Sequence, residues 1–362
     1  MRSTSTVAAS TWPHKPLNSR KRHFCGQALS WRVFSDTAKV FFTLRSGSYD
    51  AHDKYFTNFE IVWRYFLSLG RLGEAEHIWD LALRPALEWE QESRVSGLRI
   101  HKGTPYYFWG MTALLRGDLD RGYCLIHQAV SEDSATNPET YRTLPGFALA
   151  TLDYEKPDQA FRQWVLQQAD FLAKRVVRYS DIHGRPFALR DFQDRFLRQP
   201  PDTDTLFLFA HVVARLMQLS EIPGYLTQNG FAGQLEVNLL FDLTLVTDVA
   251  AKAQNGGKWK FIEHAETLLA RAGHPLSKSQ LTEIHDGFKD DFEATLRALV
   301  ERSYQLPSGS TVDTLQRDVA LAYGLRNRAA HTVSAPAIWR YFAEVQQAVF
   351  NTLFAVVDHL YR

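Results

Sequence analysis

Apolar residues along the chain recur mostly three and four positions apart, while strict alternation bounded by turn residues is scarce. Over 336–361, Ile338, Phe342, Val345, Val349, Leu353, Val356 and Leu360 keep helical spacing, and Pro336 suits the first turn of such a helix. Over 312–325, Val312, Leu315, Val319, Ala322 and Tyr323 share one face; over 286–304, Phe288, Phe292, Leu296, Leu299 and Tyr304 do the same. The segment 232–254 is apolar nearly all round, which predicts a central core helix. A further helix over 258–273 ends on Gly273. The pattern predicts an all-α chain whose C-terminal part is a helical bundle.

In the N-terminal half, "FEIVWRYFLSLGRLGEAEHIWDLAL" (59–83) superposes on "YYFWGMTALLRGDLDRGYCLIHQAV" (106–130) at an offset of 47 positions. Each reads as an aromatic-rich helix, a turn built on "GRLGE" or "GDLDR", and a second helix. Ala75, Trp79 and Ala82 fall opposite Gly122, Ile126 and Ala129. Small residues there let antiparallel helices approach while a large side chain fills the gap. The pattern resembles the tetratricopeptide repeat, with Gly110, Ala75 and Ala82 at its small-residue positions, although the offset exceeds that repeat's usual period. Generic helical hairpins fit as well, and 140–178 offers a degenerate third unit.

Residues 179–202 carry Gly184, Pro186, Pro200 and Pro201 and read as a connector with one short helix; "DTDT" then offers N-caps for 206–219. "SEIPGYLTQNG" (220–230) is the next break. The expected organisation is a mobile basic arm over 1–35, a repeat-like helical array for a partner or sensor role over 36–225, and a bundle over 226–362. The arm lacks Asp and Glu but holds Arg2, Lys15, Arg20, Lys21 and Arg22, so a transit peptide is the other reading. A formal charge of +1 supplies no global field for nucleic acid, so any RNA contact must be local. Two cysteines, Cys25 and Cys124, build neither a disulfide framework nor a Cys-type zinc site, and a reducing cytoplasm is expected. No uncharged apolar stretch of membrane-spanning length occurs.

The candidate chemistry lies between the last two long helical patterns, in "RNRAAHTVSA" (326–335). An Arg five before a His is weak alone, since "RYSDIH" (178–183) repeats it; the Asn directly after the Arg and the placement between two bundle helices set 326–331 apart. "RNRAAH" resembles the Arg-x4–6-His signature of HEPN (higher eukaryotes and prokaryotes nucleotide-binding) domains, and the resemblance spans roughly 232–362. It implies a HEPN-type, metal-independent endoribonuclease that needs no cofactor and works as a homodimer on RNA. Attack by the 2′-OH would leave 2′,3′-cyclic phosphate and 5′-OH ends. His331 would transfer protons, Arg326 would hold the charge of the phosphorane, and Asn327 would orient the His or donate to phosphate. Arg328 would bind flanking phosphate or face solvent. One clear His per protomer means that two copies facing across a twofold would supply base and acid.

By that resemblance the layout is similar to bacterial toxin or phage-defence ribonucleases, with a protein or nucleotide regulator at the N-terminal array. The alternatives are a non-catalytic dimeric adaptor and a nucleotide-sensing module. "IHDGFKDD" (284–291) gathers His285, Asp286, Asp290 and Asp291, read either as a metal site or, more simply, with Asp286 capping the following helix. His101 and Lys102 precede aromatics that either stack a base or form repeat core.

Overall fold

The computed structural model describes residues 20–93, 98–153, 159–221, 230–256, 260–328 and 336–361. Among them sixteen α-helices form and no strand does; one isolated bridge joins Gln305 and Thr311. None of these helices is long and apolar enough to cross a membrane. The chain divides into two compact units, 1–105 and 106–362, well before the expected boundary near 225. Residues 20–35 of the expected arm belong to the first helix, and 1–19 lie outside the described residues.

The first unit is built on α1 (Arg20–Leu44), α2 (Tyr49–Ser68) and α3 (Leu72–Glu92). Phe42, Phe56, Trp63, Ala75, Trp79, Ala82 and Trp89 fill its core, with the rings of Trp63 and Trp79 6.0 Å apart. Gly70 closes the α2–α3 turn at φ +67°, a left-handed position that glycine occupies without strain. His101 and Lys102 are tied inward rather than offered to a base. Lys102 Nζ donates to Glu90 Oε1 at 2.6 Å and to the Ile100 carbonyl at 2.8 Å, and His101 Nδ1 lies 3.0 Å from Asp53 Oδ1.

The second hairpin is α4 (Gly103–Leu115) and α5 (Leu119–Thr136), turned by Gly117 at φ +81°. The expected close approach is present. A Cβ on Gly110 would meet Ile126 Cγ1 at 2.6 Å and the Gly122 carbonyl at 2.9 Å, so only glycine fits. The second unit continues with α6 (Pro145–Ala150), α7 (Gln159–His183), α8 (Leu189–Phe192) and α9 (Thr203–Ser220). Then follow α10 (Gly230–Gln254), α11 (Phe261–Ala272), α12 (Lys278–Asp290), α13 (Phe292–Val300), α14 (Thr314–Arg328), α15 (Pro336–Arg340) and α16 (Phe342–Leu360).

One hydrophobic core runs from Met111 to Tyr361, so Leu206–Met217 of α9 and Val237–Ala251 of α10 share it across the expected boundary. The expected connector is itself core: Phe192 and Phe196 are fully buried and meet Phe209 tilted and edge-on respectively. Asp202 caps α9, accepting from the Thr205 N–H at 2.6 Å.

The last two expected helices differ in detail. The 336–361 pattern breaks at Tyr341, whose hydroxyl donates to Glu301 at 2.6 Å, and Trp339 of α15 lies flat against Gly233 of α10. The 286–304 pattern breaks at Asp291, which takes the extended conformation a cap needs (φ −145°) and accepts from the Ala294 N–H at 2.9 Å. Asp286, the expected cap, sits inside α12 and pairs with Lys289 at 3.1 Å. The helix buried on nearly all sides is α16; α10 leaves several residues half-exposed.

Candidate functional site

The site is set by how the end of α14 is held. Gly324 lets that helix lie directly on the Phe288 ring of α12. Tyr323 stacks parallel on Phe261 of α11, with ring centroids 5.6 Å apart, and its ring is 5.1 Å from that of His285. These three contacts fix the rotation of α14 about its axis, and with it the direction of Arg326 and Asn327.

Arg326 points toward α10. Its Nε and Nη2 both donate to Asp248 Oδ2, at 3.1 and 2.8 Å. The arginine side chain keeps 35% of its surface exposed and Asp248 keeps 17%, so the pair sits at the rim of the bundle rather than inside it. Asp248 therefore aims the guanidinium and offsets its charge, while the Nη1 edge makes no bond to Asp248. Asn327 points the other way, with Nδ2 3.3 Å from His285 Nδ1. A contact in that sense makes His285 Nδ1 the acceptor and places the ring proton on Nε2. The Tyr323 hydroxyl is pushed up by burial first, with Asn327 acting against that shift.

Burial, with the nearby Lys289 charge second, pushes His285 below its ordinary value, and Asp286 opposes the shift. His285 is consequently neutral near pH 7 and competent to take a proton. The arrangement is a row of Asp248, Arg326, Asn327 and His285 across three helices: a cation held by a carboxylate, an amide, and a neutral imidazole. Chemically, such a row can hold an anionic oxygen and move one proton nearby.

Of the expected site residues, Arg326 and Asn327 are both described and diverge to partners on α10 and α12. His331 lies outside the described residues, as does the side chain of Arg328, so the expected meeting of Arg326 with His331 falls outside them too. Three participants were not singled out for this site from the sequence. Asp248 carried no signal of its own, being one of three carboxylates, with Glu236 and Asp242, on a largely apolar helix. His285 was noticed within the "IHDGFKDD" cluster, but its partner is an amide 42 positions on, and no group of three or more metal-ligating side chains gathers there among the described residues. Tyr323 was counted only as part of an apolar face.

Compared with protein-family models, curated proteins and solved structures, the chain matches none of them.

Proposed function

We propose that the second unit ends in a HEPN-like site that cleaves RNA without a metal, and that the chain acts as a toxin or defence ribonuclease. The observation that supports this reading is the rim-exposed guanidinium of Arg326, aimed by Asp248, with the Asn327–His285 pair directed to α12 from the next position of the same helix. In the proposed reaction a base takes the proton of the ribose 2′-OH, the 2′-oxygen forms a bond to phosphorus, and the bond from phosphorus to the 5′-oxygen breaks. The leaving 5′-oxygen receives a proton from an acid. Arg326 offsets the charge that accumulates on the phosphoryl oxygens. His331 and His285 are the two imidazoles assigned to proton transfer, with His285 starting neutral as the base. A second imidazole in the same protomer removes the need for a partner copy to complete the chemistry. The homodimer then rests on the family resemblance alone.

A second reading is favoured by one observation. The Nε–Nη2 edge of Arg326, the edge best shaped for a phosphate, is occupied by Asp248 and ties α10 to α14. On that reading the motif is structural and the chain is a helical adaptor. Incubating wild type, Arg326→Ala, His331→Ala and Asp248→Asn with total RNA in EDTA, followed by end-group analysis, separates the two. The nuclease reading requires 2′,3′-cyclic phosphate ends from the wild type that are lost in both Arg326→Ala and His331→Ala. Cleavage surviving both substitutions, or none by the wild type, sinks it.

A further inference from the structure

Away from that site, a cavity of about 170 Å³ lies between α7, α14 and α16, edged by the residues that follow α13. Beneath it lies a polar network. Asp318 is fully buried; its carboxylate accepts from Arg317 Nε and Nη2 at 3.0 and 2.6 Å and from Asn351 Nδ2 at 2.6 Å. His183 Nε2 is 3.2 Å from the same carboxylate, and Gln347 donates to Asn351 Oδ1 at 2.7 Å. Arg317 lines the cavity with its position fixed and its charge balanced by Asp318.

Two further arginines line the cavity without such balance. Arg178 on α7 and Arg302 after α13 make no ion pair among the described residues. Arg302 sits at φ +60°, a left-handed conformation that a non-glycine residue keeps only where its surroundings hold it. Glu344 is the only acid among the described lining residues. The excess of positive charge is felt one turn away along α7: Arg175 is pushed down to about 10, by burial first and by the charge of Arg178 second. Its Nε is buried without a hydrogen-bond partner.

We propose that this cavity binds a phosphate group, either free inorganic phosphate or the terminal phosphate of a small phosphomonoester. Planar guanidinium forks match the oxygens of a tetrahedral anion two at a time, and three arginines line this cavity. Arg317 adds its Nη1 edge, since Nε and Nη2 are already committed to Asp318. With Arg317 balanced by Asp318, the lining keeps a net positive charge from Arg178 and Arg302 against Glu344, and a phosphate dianion is drawn to it about twice as strongly as a single carboxylate would be. The volume is roughly that of five or six waters, room for a phosphoryl group and a few attached atoms but not for a base. Neither Arg326 nor Asn327 lines this cavity, so this site and the ribonuclease reading stand or fall separately.

Calorimetric titration of the full chain with inorganic phosphate, and in parallel with ribose 5-phosphate, at low ionic strength tests the proposal. Arg178→Gln and Arg302→Gln should each weaken phosphate binding about ten-fold, and Glu344→Gln should tighten it several-fold. All three positions are exposed, so the fold tolerates the exchange. Arg64→Gln, on a surface pair with Glu60, should change nothing. Tighter binding of ribose 5-phosphate than of phosphate supports the ester as ligand; equal or weaker binding supports the free ion. Absence of titratable phosphate binding by the wild type at millimolar concentration, or binding that none of the three cavity substitutions alters, overturns the proposal.

Discussion

Replacing Gly324 with alanine should loosen the part of the bundle that carries Arg326 and Asn327. A Cβ at that position would lie 2.5 and 2.7 Å from Cζ and Cδ2 of Phe288, about 1 Å inside carbon–carbon contact. The ring has little room to yield, because Phe288 is buried and packs on Phe292 with centroids 5.4 Å apart. Overpacking of this kind costs about 2–3 kcal/mol when the obstacle is a fixed ring. Alanine returns about 1 kcal/mol of helix propensity over glycine. The net expectation is a loss of about 1–2 kcal/mol, read by urea unfolding. The same substitution made with Phe288→Leu already in place should cost less, giving a coupling of about 1 kcal/mol in a double-mutant cycle. A wedge at Gly324 also separates α14 from α12, one turn from the 3.3 Å contact of Asn327 with His285. If Gly324→Ala is as stable as the wild type and shows no coupling to Phe288→Leu, the close packing invoked here is wrong.

Asp318→Ala should destabilise the second unit by about 3–5 kcal/mol, because it strands the Arg317 charge and the Asn351 donor in the interior; a loss under about 1 kcal/mol by urea unfolding would count against the network. His52, His285 and His359 are all held below their ordinary 6.5, each by burial first. The unfolded chain therefore protonates them before the folded one does, and stability should decline as pH falls below 6.5, flattening once the folded values are passed. Thermal melts across that range should show the decline, and His285→Gln should lessen it; an unchanged slope would contradict the assignment. Arg326→Ala and Asp248→Asn, combined in a cycle, should couple by about 1 kcal/mol, as a partly exposed ion pair does; coupling near zero would mean that Asp248 does not position Arg326.

Helices were legible because each declares itself within its own residues. Gly273 ends α11 at φ +83°, Asp202 caps α9, and the glycines at 110 and 122 mark the point where α4 and α5 touch. The surroundings of a helix are set elsewhere. The three–four spacing of α16 describes an amphipathic helix, yet Gln346, Gln347, Asn351 and Thr352 on its polar side are buried as well. They are tolerated there because Arg175, Asp318 and local carbonyls satisfy them, and those partners lie up to 172 positions away. Gly184, Pro186, Pro200 and Pro201 suggested a connector over 179–202, but such residues stop a helix without separating cores; Phe192 and Phe196 within it and Phe209 after it pack together.

The same division between local and distant information holds for the candidate site and for two histidines outside it. Helix α5 carries Asp120 and His127, and α9 carries Asp204 and His211, with seven positions between acid and imidazole in each. Seven residues are two helical turns, so each pair lies along one face. The helices run antiparallel in this pairing, and every acid meets the other helix's imidazole. His211 Nε2 is 2.7 Å from Asp120 Oδ1, and His127 Nε2 is 2.9 Å from Asp204 Oδ1, the latter off the line of a hydrogen bond. The spacing could be read from either helix, but the exchange of partners exists only once the two are packed. Arg326 repeats the lesson where it matters for function. Its motif suggested a phosphate grip, whereas what decides its direction is Asp248, 78 positions earlier on a helix that the sequence pattern reads chiefly as core.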